Sequence, residues 1–160
     1  MKYGKKIDSI LLDKNNSPAD LIRLGEDMAN AKRYNDALTL FETALKIDPN
    51  NDIGWGDKAL ILDKQGKIEE ALTSFSNALS INPKNAITWH NKGLLLLRIK
   101  RFSDSIECFD MALRLNEKYA KAWYNKGRAL ELLGDRTSAQ PCLNKARRLD
   151  PMLFAKLTKI

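Results

Sequence analysis

The chain has 160 residues and a formal net charge of +7 at pH 7, with 44% hydrophobic and 29% charged residues. These values are typical of a single folded domain and exclude a low-complexity chain. Apolar runs such as Leu94–Leu97 are far shorter than the roughly 18 residues of a membrane span, and no apolar signal core follows Met1. We therefore expect a soluble, cytoplasmic protein without membrane association.

From Pro18 onwards, the chain repeats with a fixed period. Trp55, Trp89 and Trp123 are evenly spaced, at an interval of about 34 residues that is typical of proteins built from stacked helical repeats. Counting the residue three before each tryptophan as position 1 gives four consecutive repeats. They cover residues 18–51, 52–85, 86–119 and 120–153.

Small and large residues recur in the same register in every repeat. Position 8 is Gly25, Ala59, Gly93 and Gly127, position 24 is Phe41, Phe75, Phe109 and Leu143, and position 27 is Ala44, Ala78, Ala112 and Ala146. Apolar residues at helical spacing predict two helices per repeat, with small residues where the two backbones approach. The tryptophans and phenylalanines are therefore interpreted as core residues, since no polar groups recur beside them.

The predicted helix ends agree with this register. Ser17 and Pro18 are suited to the first helix start, Gly66 and Gly134 to the ends of first helices, and prolines follow the second helices at Asp48, Asn82 and Asp150. The last repeat contains Pro141, so we expect its second helix to start near Thr137 or Ser138. Its exposed positions, Arg136, Gln140 and Arg147, are polar, as in a terminal repeat.

This pattern resembles the tetratricopeptide repeat family across residues 18–153. The resemblance implies an all-α fold of four helix-turn-helix repeats, stacked into a right-handed α-solenoid with short flanking helical segments. Leu21 at the tryptophan position and Glu117 at the proline position depart from the family pattern without changing the register.

Residues 1–17 and 154–160 are predicted to flank and cap the array. Apolar side chains in both segments would be costly to leave in water, so each segment is expected to cover an end of the stack, within its own chain or by exchange in a weak homodimer. These side chains are Ile7, Ile10, Leu11, Leu153, Phe154, Leu157 and Ile160.

Residues for catalysis and metal binding are sparse. His90 is the one histidine, and Cys108 and Cys142 both occupy position 23, too far apart on adjacent packed helices for a disulfide. No metal-binding or phosphate-binding motif occurs. We expect no enzyme activity, no metal and no cofactor, and two reduced cysteines.

A partner is expected on the first helices, which line the concave groove in the resembled family. At about 100° per residue, positions 2, 6, 9 and 13 point away from the hairpin, with positions 5 and 12 beside them. The central candidates are Ile53, Asp57, Leu60, Ile87, His90, Asn91, Leu94, Leu97, Arg98, Lys121, Tyr124, Asn125 and Arg128. The first repeat and the end of the second add Ile22, Arg23, Glu26, Asn30 and Lys64.

The apolar candidates among these residues form an exposed patch, a typical feature of binding sites, or else some of them pack between neighbouring first helices. Residues 18–85 carry a net −3 and residues 86–160 a net +8. The expected ligand is a peptide or partner helix with aliphatic anchors and acidic residues, bound by an adaptor or assembly scaffold.

Nucleic-acid binding by the basic C-terminal half is the alternative, although acids are interspersed among the basic residues and Tyr124 is the one candidate for base stacking. The basic residues are Arg98, Lys100, Arg101, Arg114, Lys126, Arg128, Arg136, Arg147 and Arg148.

Overall fold

The computed structural model describes residues 16–157, and over this range it contains α-helices and no strand. The chain divides into two compact halves between Pro83 and Lys84. The N-terminal half contains α1 (Pro18–Asn30), α2 (Tyr34–Ile47), α3 (Asp52–Lys64) and α4 (Ile68–Ile81). The C-terminal half contains α5 (Ala86–Arg98), α6 (Phe102–Leu115), α7 (Ala120–Leu133), α8 (Arg136–Leu149) and α9 (Pro151–Leu157).

Each half contains two helical hairpins packed side by side, and the C-terminal half also contains α9. In the N-terminal half α1 pairs with α2 and α3 with α4, while α2 also contacts α3. In the C-terminal half α5 pairs with α6 and α7 with α8, and α6 contacts α7. The prediction of an all-α fold with two helices per repeat is confirmed.

Close approach of the two helices in a hairpin explains the recurring small residues. The ring of Phe41 fills the space in which a side chain at Gly25 would start, and a Cβ at Gly93 would lie 2.7 Å from Cε1 of Phe109. The alanines at position 27 are all buried. The large rings thus fit only because the residues at positions 8 and 27 that face them have small side chains or none, as close packing requires.

Two of the three tryptophans, Trp55 and Trp123, donate a hydrogen bond to a backbone carbonyl at position 32. The indole Nε1 of Trp55 donates to the carbonyl oxygen of Pro49 at 2.9 Å, and that of Trp123 donates to the carbonyl oxygen of Glu117 at 2.8 Å. Because this contact uses the main chain, glutamate can replace proline at position 32 without loss of the anchor.

The turn inside each hairpin requires a left-handed residue at position 15. Its φ is +59° at Lys32, +76° at Gly66, +62° at Lys100 and +96° at Gly134. The next residue closes the turn, as Arg101 does by donating its amide to the carbonyl of Leu96 at 2.9 Å. The expected helix ends at Gly66 and Gly134 are confirmed, and two lysines occupy the same conformation at a steric cost.

Replacing Lys100 with glycine is expected to stabilise the protein by about 0.5–1 kcal/mol, because glycine adopts this φ without strain. Urea unfolding followed by circular dichroism measures the change. The matched control is Gly134→Ala, which meets open space yet should cost about 1–2 kcal/mol through its backbone alone. A destabilised Lys100→Gly protein would contradict this account of the turn.

The prediction that the last helix starts late is wrong. Helix α8 begins at Arg136 after an Asp135 cap, whose side chain accepts the Ser138 amide at 3.0 Å, and Pro141 lies inside the helix. An earlier start buries Ala139 against the preceding helix. Pro141 has no amide hydrogen, so one carbonyl in the preceding turn loses its helical donor. Because Pro141 is exposed, water can hydrate that carbonyl, and the packing of the first turn outweighs one lost hydrogen bond.

The other end signals are confirmed where the structure describes them. The Ser17 side chain accepts the Asp20 amide at 3.2 Å, and α2, α4 and α8 end just before Asp48, Asn82 and Asp150. Helix α9 contacts α8. Capping by the flanks stays a prediction, because it rests on residues or side chains outside the described part of the chain, namely Ile7, Ile10, Leu11, Leu153, Phe154, Leu157 and Ile160.

Candidate functional site

The outward side of the first helices in the C-terminal half combines apolar and basic residues. We call it the α5–α7 face and define it by positions 2, 6, 9 and 13 of the two helices. It consists of Ile87, Asn91, Leu94, Arg98, Lys121, Asn125, Arg128 and Leu132. Ile87 is 63% exposed, Leu132 52% and Leu94 37%, so apolar surface is open to a ligand on both helices.

Two cations on this face are available to a partner. Lys121 and Arg128 are exposed, and neither forms an ion pair with any residue in the described part of the chain. By contrast Lys126, on the same helix, is bound to Asp110 at 2.5 Å and stacks over the Trp123 ring. Because these cations have no internal ion pair to break, less free energy is lost when a ligand carboxylate binds them.

Position 5 lies inside this half rather than on its surface. His90 and Tyr124 are only 4% and 6% exposed. The His90 ring contacts Asn125 Nδ2 through Nε2 at 3.0 Å and the Tyr119 hydroxyl through Nδ1 at 3.2 Å. A neutral imidazole has one donor and one acceptor nitrogen, which these partners satisfy. His90 therefore joins α5 to α7 and lies beneath the face, with almost no surface of its own exposed.

Burial lowers the pKa of His90 to about 4. The unfolded chain, with a histidine pKa near 6.5, then binds the additional proton between pH 6.5 and 4. The stability that depends on neutral His90 is complete above pH 6.5 and is lost as the pH falls towards 4. The loss amounts to at most about 3 kcal/mol, at roughly 1.4 kcal/mol per pKa unit.

His90→Gln should remove this pH dependence. The measurement is the difference in unfolding free energy between the wild type and His90→Gln from pH 4 to 7.5, in which titrations shared by both proteins cancel. We expect the wild-type advantage to shrink steadily below pH 6.5. A difference that is constant with pH would show that His90 is not buried in its neutral form.

In the N-terminal half, the first helices form a pocket of about 340 Å³, here called the α1–α3 pocket. Its lining residues are Glu26, Ala29, Asn30, Phe41, Asp57, Leu60, Ile61 and Lys64. Leu60 is half-buried in it, whereas Ile53, on the same helix, is 55% exposed. In the C-terminal half Leu97 is also half-buried, and Ile22 on α1 is buried, so three of the six aliphatic candidates are partly or fully covered.

Two carboxyl groups meet in the α1–α3 pocket. Burial, the neighbouring Glu26 charge and a hydrogen bond to Glu26 raise the pKa of Asp57 to about 6. Two carboxyl groups can hydrogen bond only by sharing a proton, so ionisation of both is unfavourable. The helical period predicted that both residues lie on the outward side of the first helices. Their contact depends on the spacing of α1 and α3, which the period within one helix does not determine.

Asp57→Asn should stabilise the free protein at pH 7.5 by about 1–2 kcal/mol, after allowance for partial solvent screening. A raised pKa means that Asp57 favours folding below pH 4 and that this contribution is lost as the pH rises through 6. The gain should therefore vanish at pH 4. The control is Asp27→Asn on α1, an exposed site expected to change stability by less than about 0.5 kcal/mol. Destabilisation by Asp57→Asn at pH 7.5 would contradict the assignment.

The described residues contain no group of three or more metal-binding side chains and no helix long and apolar enough to cross a membrane. Cys108 and Cys142 are buried free thiols, as expected, and burial raises the pKa of Cys108 to about 11. A thiol with such a pKa is a poor nucleophile at neutral pH.

Helical hairpins that recur with the tryptophan period, with outward faces on the first helices that are open to a ligand, define a helical repeat protein. Models described as Tetratricopeptide repeat match residues 18–51, 40–73 and 90–151, and a model described as TPR repeat matches residues 59–100. The chain belongs to the tetratricopeptide repeat family.

Solved structures with the same fold share little sequence with this chain. A crystal structure of MamA has a TM-score of 0.84 at 18% identity, covering 98% of this chain and 89% of that chain. PilF of Pseudomonas aeruginosa has a TM-score of 0.78 at 20% identity over 84% of this chain and 61% of its own. A thermophilic TPR protein of Thermus thermophilus has a TM-score of 0.72 at 25% identity, covering 84% and 75%. Comparison with curated protein sequences gave no match.

Proposed function

We propose that this protein is a non-enzymatic protein-interaction module that binds a peptide or partner helix on the outward side of its first helices, as an adaptor or assembly scaffold. Membership of a family of interaction repeats supports the general role. We further propose a cytoplasmic location, which two buried free thiols support.

The observation that carries this proposal is the composition of the α5–α7 face. Ile87 and Leu94 expose aliphatic surface on α5, and Lys121 and Arg128 present cations on α7 that have no internal partner among the described residues. Exposed aliphatic side chains favour apolar anchors in a ligand, and unpaired cations favour acidic residues beside them. The proposed ligand is therefore a segment that carries both.

Nucleic-acid binding remains the alternative for the basic C-terminal half. Tyr124 is buried, and Arg101 and Lys126 are already bound to Asp104 and Asp110. These contacts reduce the number of basic and aromatic groups that could meet a phosphate backbone or a base. The protein ligand is therefore favoured, and a nucleic-acid ligand is an outcome of the salt experiment below.

Leu94→Glu should abolish peptide selection without unfolding the protein. A random peptide library displayed on phage is panned against the full wild-type chain, Leu94→Glu and Leu115→Glu. Leu115 is the matched control, because it is 39% exposed in the same half but lies on α6. We expect peptides with spaced aliphatic residues followed by Asp or Glu from the wild type and the control alone. Equal enrichment by the Leu94→Glu protein would contradict the proposed site.

Arg128→Glu should slow association with a selected acidic peptide and reduce the dependence of its rate on salt, because a cation outside the apolar contact acts mainly by steering. Surface plasmon resonance at about 50–300 mM NaCl measures both effects. Arg114→Glu, an equal charge change on α6, is the control. If a random single-stranded RNA binds the wild type more tightly than any selected peptide at 150 mM NaCl, the nucleic-acid alternative replaces this proposal.

A further inference from the structure

The α1–α3 pocket differs chemically from the α5–α7 face. Its carboxyl groups, Glu26 and Asp57, lie on two separate helices and line the same cavity of about 340 Å³. Leu60, Ile61 and Phe41 supply apolar lining to this cavity. A site with negative charge and apolar walls is complementary to a cation carried on an aliphatic stem.

The Asp57 carboxyl group in this pocket has an oxygen without a hydrogen-bond donor. The Asp57 Oδ2 atom is buried and has no hydrogen-bond donor within reach. A buried acceptor without a donor costs free energy, which a bound donor would recover. A hydrogen bond between the two carboxyl groups requires a proton on one of them, and Asp57, with a pKa of about 6, is mostly ionised at pH 7.5.

The cation already present in the pocket does not neutralise the carboxyl pair. Lys64 is exposed, and its Nζ lies 6.0 Å from the centroid of the Tyr34 ring. It forms no ion pair with Glu26 or Asp57 in the described part of the chain. Lys64 therefore lines the pocket as a competing charge and leaves the two carboxyl groups to an incoming donor.

We propose that the α1–α3 pocket binds the side chain of a lysine or arginine of a protein ligand, with its charged end between Glu26 and Asp57 and its stem against Leu60 and Ile61. An ammonium carries three donors and a guanidinium five, so either can satisfy carboxylates on two helices at once. This inference rests on the proposed function and deepens it, since it assigns a basic residue of the protein ligand to the first helices of the N-terminal half.

The test uses small cations as probes, so it is independent of any peptide. The full chain is titrated at pH 7.5 and 150 mM NaCl with n-butylammonium, n-butylguanidinium and neutral 1-butanol, and the backbone amides of Asp57 and Leu60 are followed by NMR. We expect saturable shifts with the two cations, with dissociation constants on the order of millimolar for so small a ligand, and at least tenfold weaker binding of butanol. The cation with the higher affinity identifies lysine or arginine as the preferred residue.

Variants locate the binding. Glu26→Gln/Asp57→Asn should weaken cation binding at least tenfold, whereas Asp27→Asn/Glu69→Gln, which removes the same charge from exposed residues that do not line the pocket, should change it less than twofold. Lys64→Gln should strengthen it about two- to threefold by removing the competing charge. Equal shifts with butanol and the cations, or equal losses in the two double variants, would overturn the proposal and would leave the ligand of the α5–α7 face unaffected.

Discussion

Close packing between the two helices of each hairpin is the constraint on which the rest of the structure depends. A phenylalanine or leucine at position 24 fits only because position 8 is glycine or alanine and position 27 is alanine. Such packing fixes the register of the hairpin, since a shift of one residue would place a larger side chain against the ring. The outward positions of the first helices are free of this constraint, so their chemistry can vary from one repeat to the next. They are acidic at Asp57 in one half and aliphatic or basic at Leu94 and Arg128 in the other.

Position 6 illustrates how the outward positions differ between the two halves. In both halves its side chain contacts the first helix of the preceding repeat: Asn125 binds His90, and Asp57 meets Glu26. The first contact is a satisfied hydrogen bond that stabilises the neutral histidine. The second joins two groups of the same charge, which is unfavourable unless a proton or a cation lies between them. A satisfied polar pair is explained by folding alone, whereas the unsatisfied carboxyl pair is better suited to a ligand.

The constant period of the repeats was enough to predict the fold, because the positions of small and large residues report directly on helix packing. The helical period also predicted which side chains point outward, Ile53, Ile87 and Leu94 among them. It did not predict that His90 is buried, because that depends on the distance between neighbouring first helices, which no periodicity within one helix contains. Pro141 was misjudged because a local propensity was weighed without the burial of Ala139, and the left-handed lysines at position 15 were missed because glycine marks that turn in only two repeats.

The central claim is that recognition occurs on the outward side of the first helices. Site-specific photo-crosslinking tests it most directly, with the photoreactive residue p-benzoylphenylalanine placed either at Ile87 on α5 or at Glu107 on α6, both exposed. In the native host, the account predicts a discrete crosslinked partner from Ile87, lost when Leu94→Glu is added, and none of that mass from Glu107. The same partner captured from Glu107 and not from Ile87 would contradict it, because recognition would then lie on the second helices.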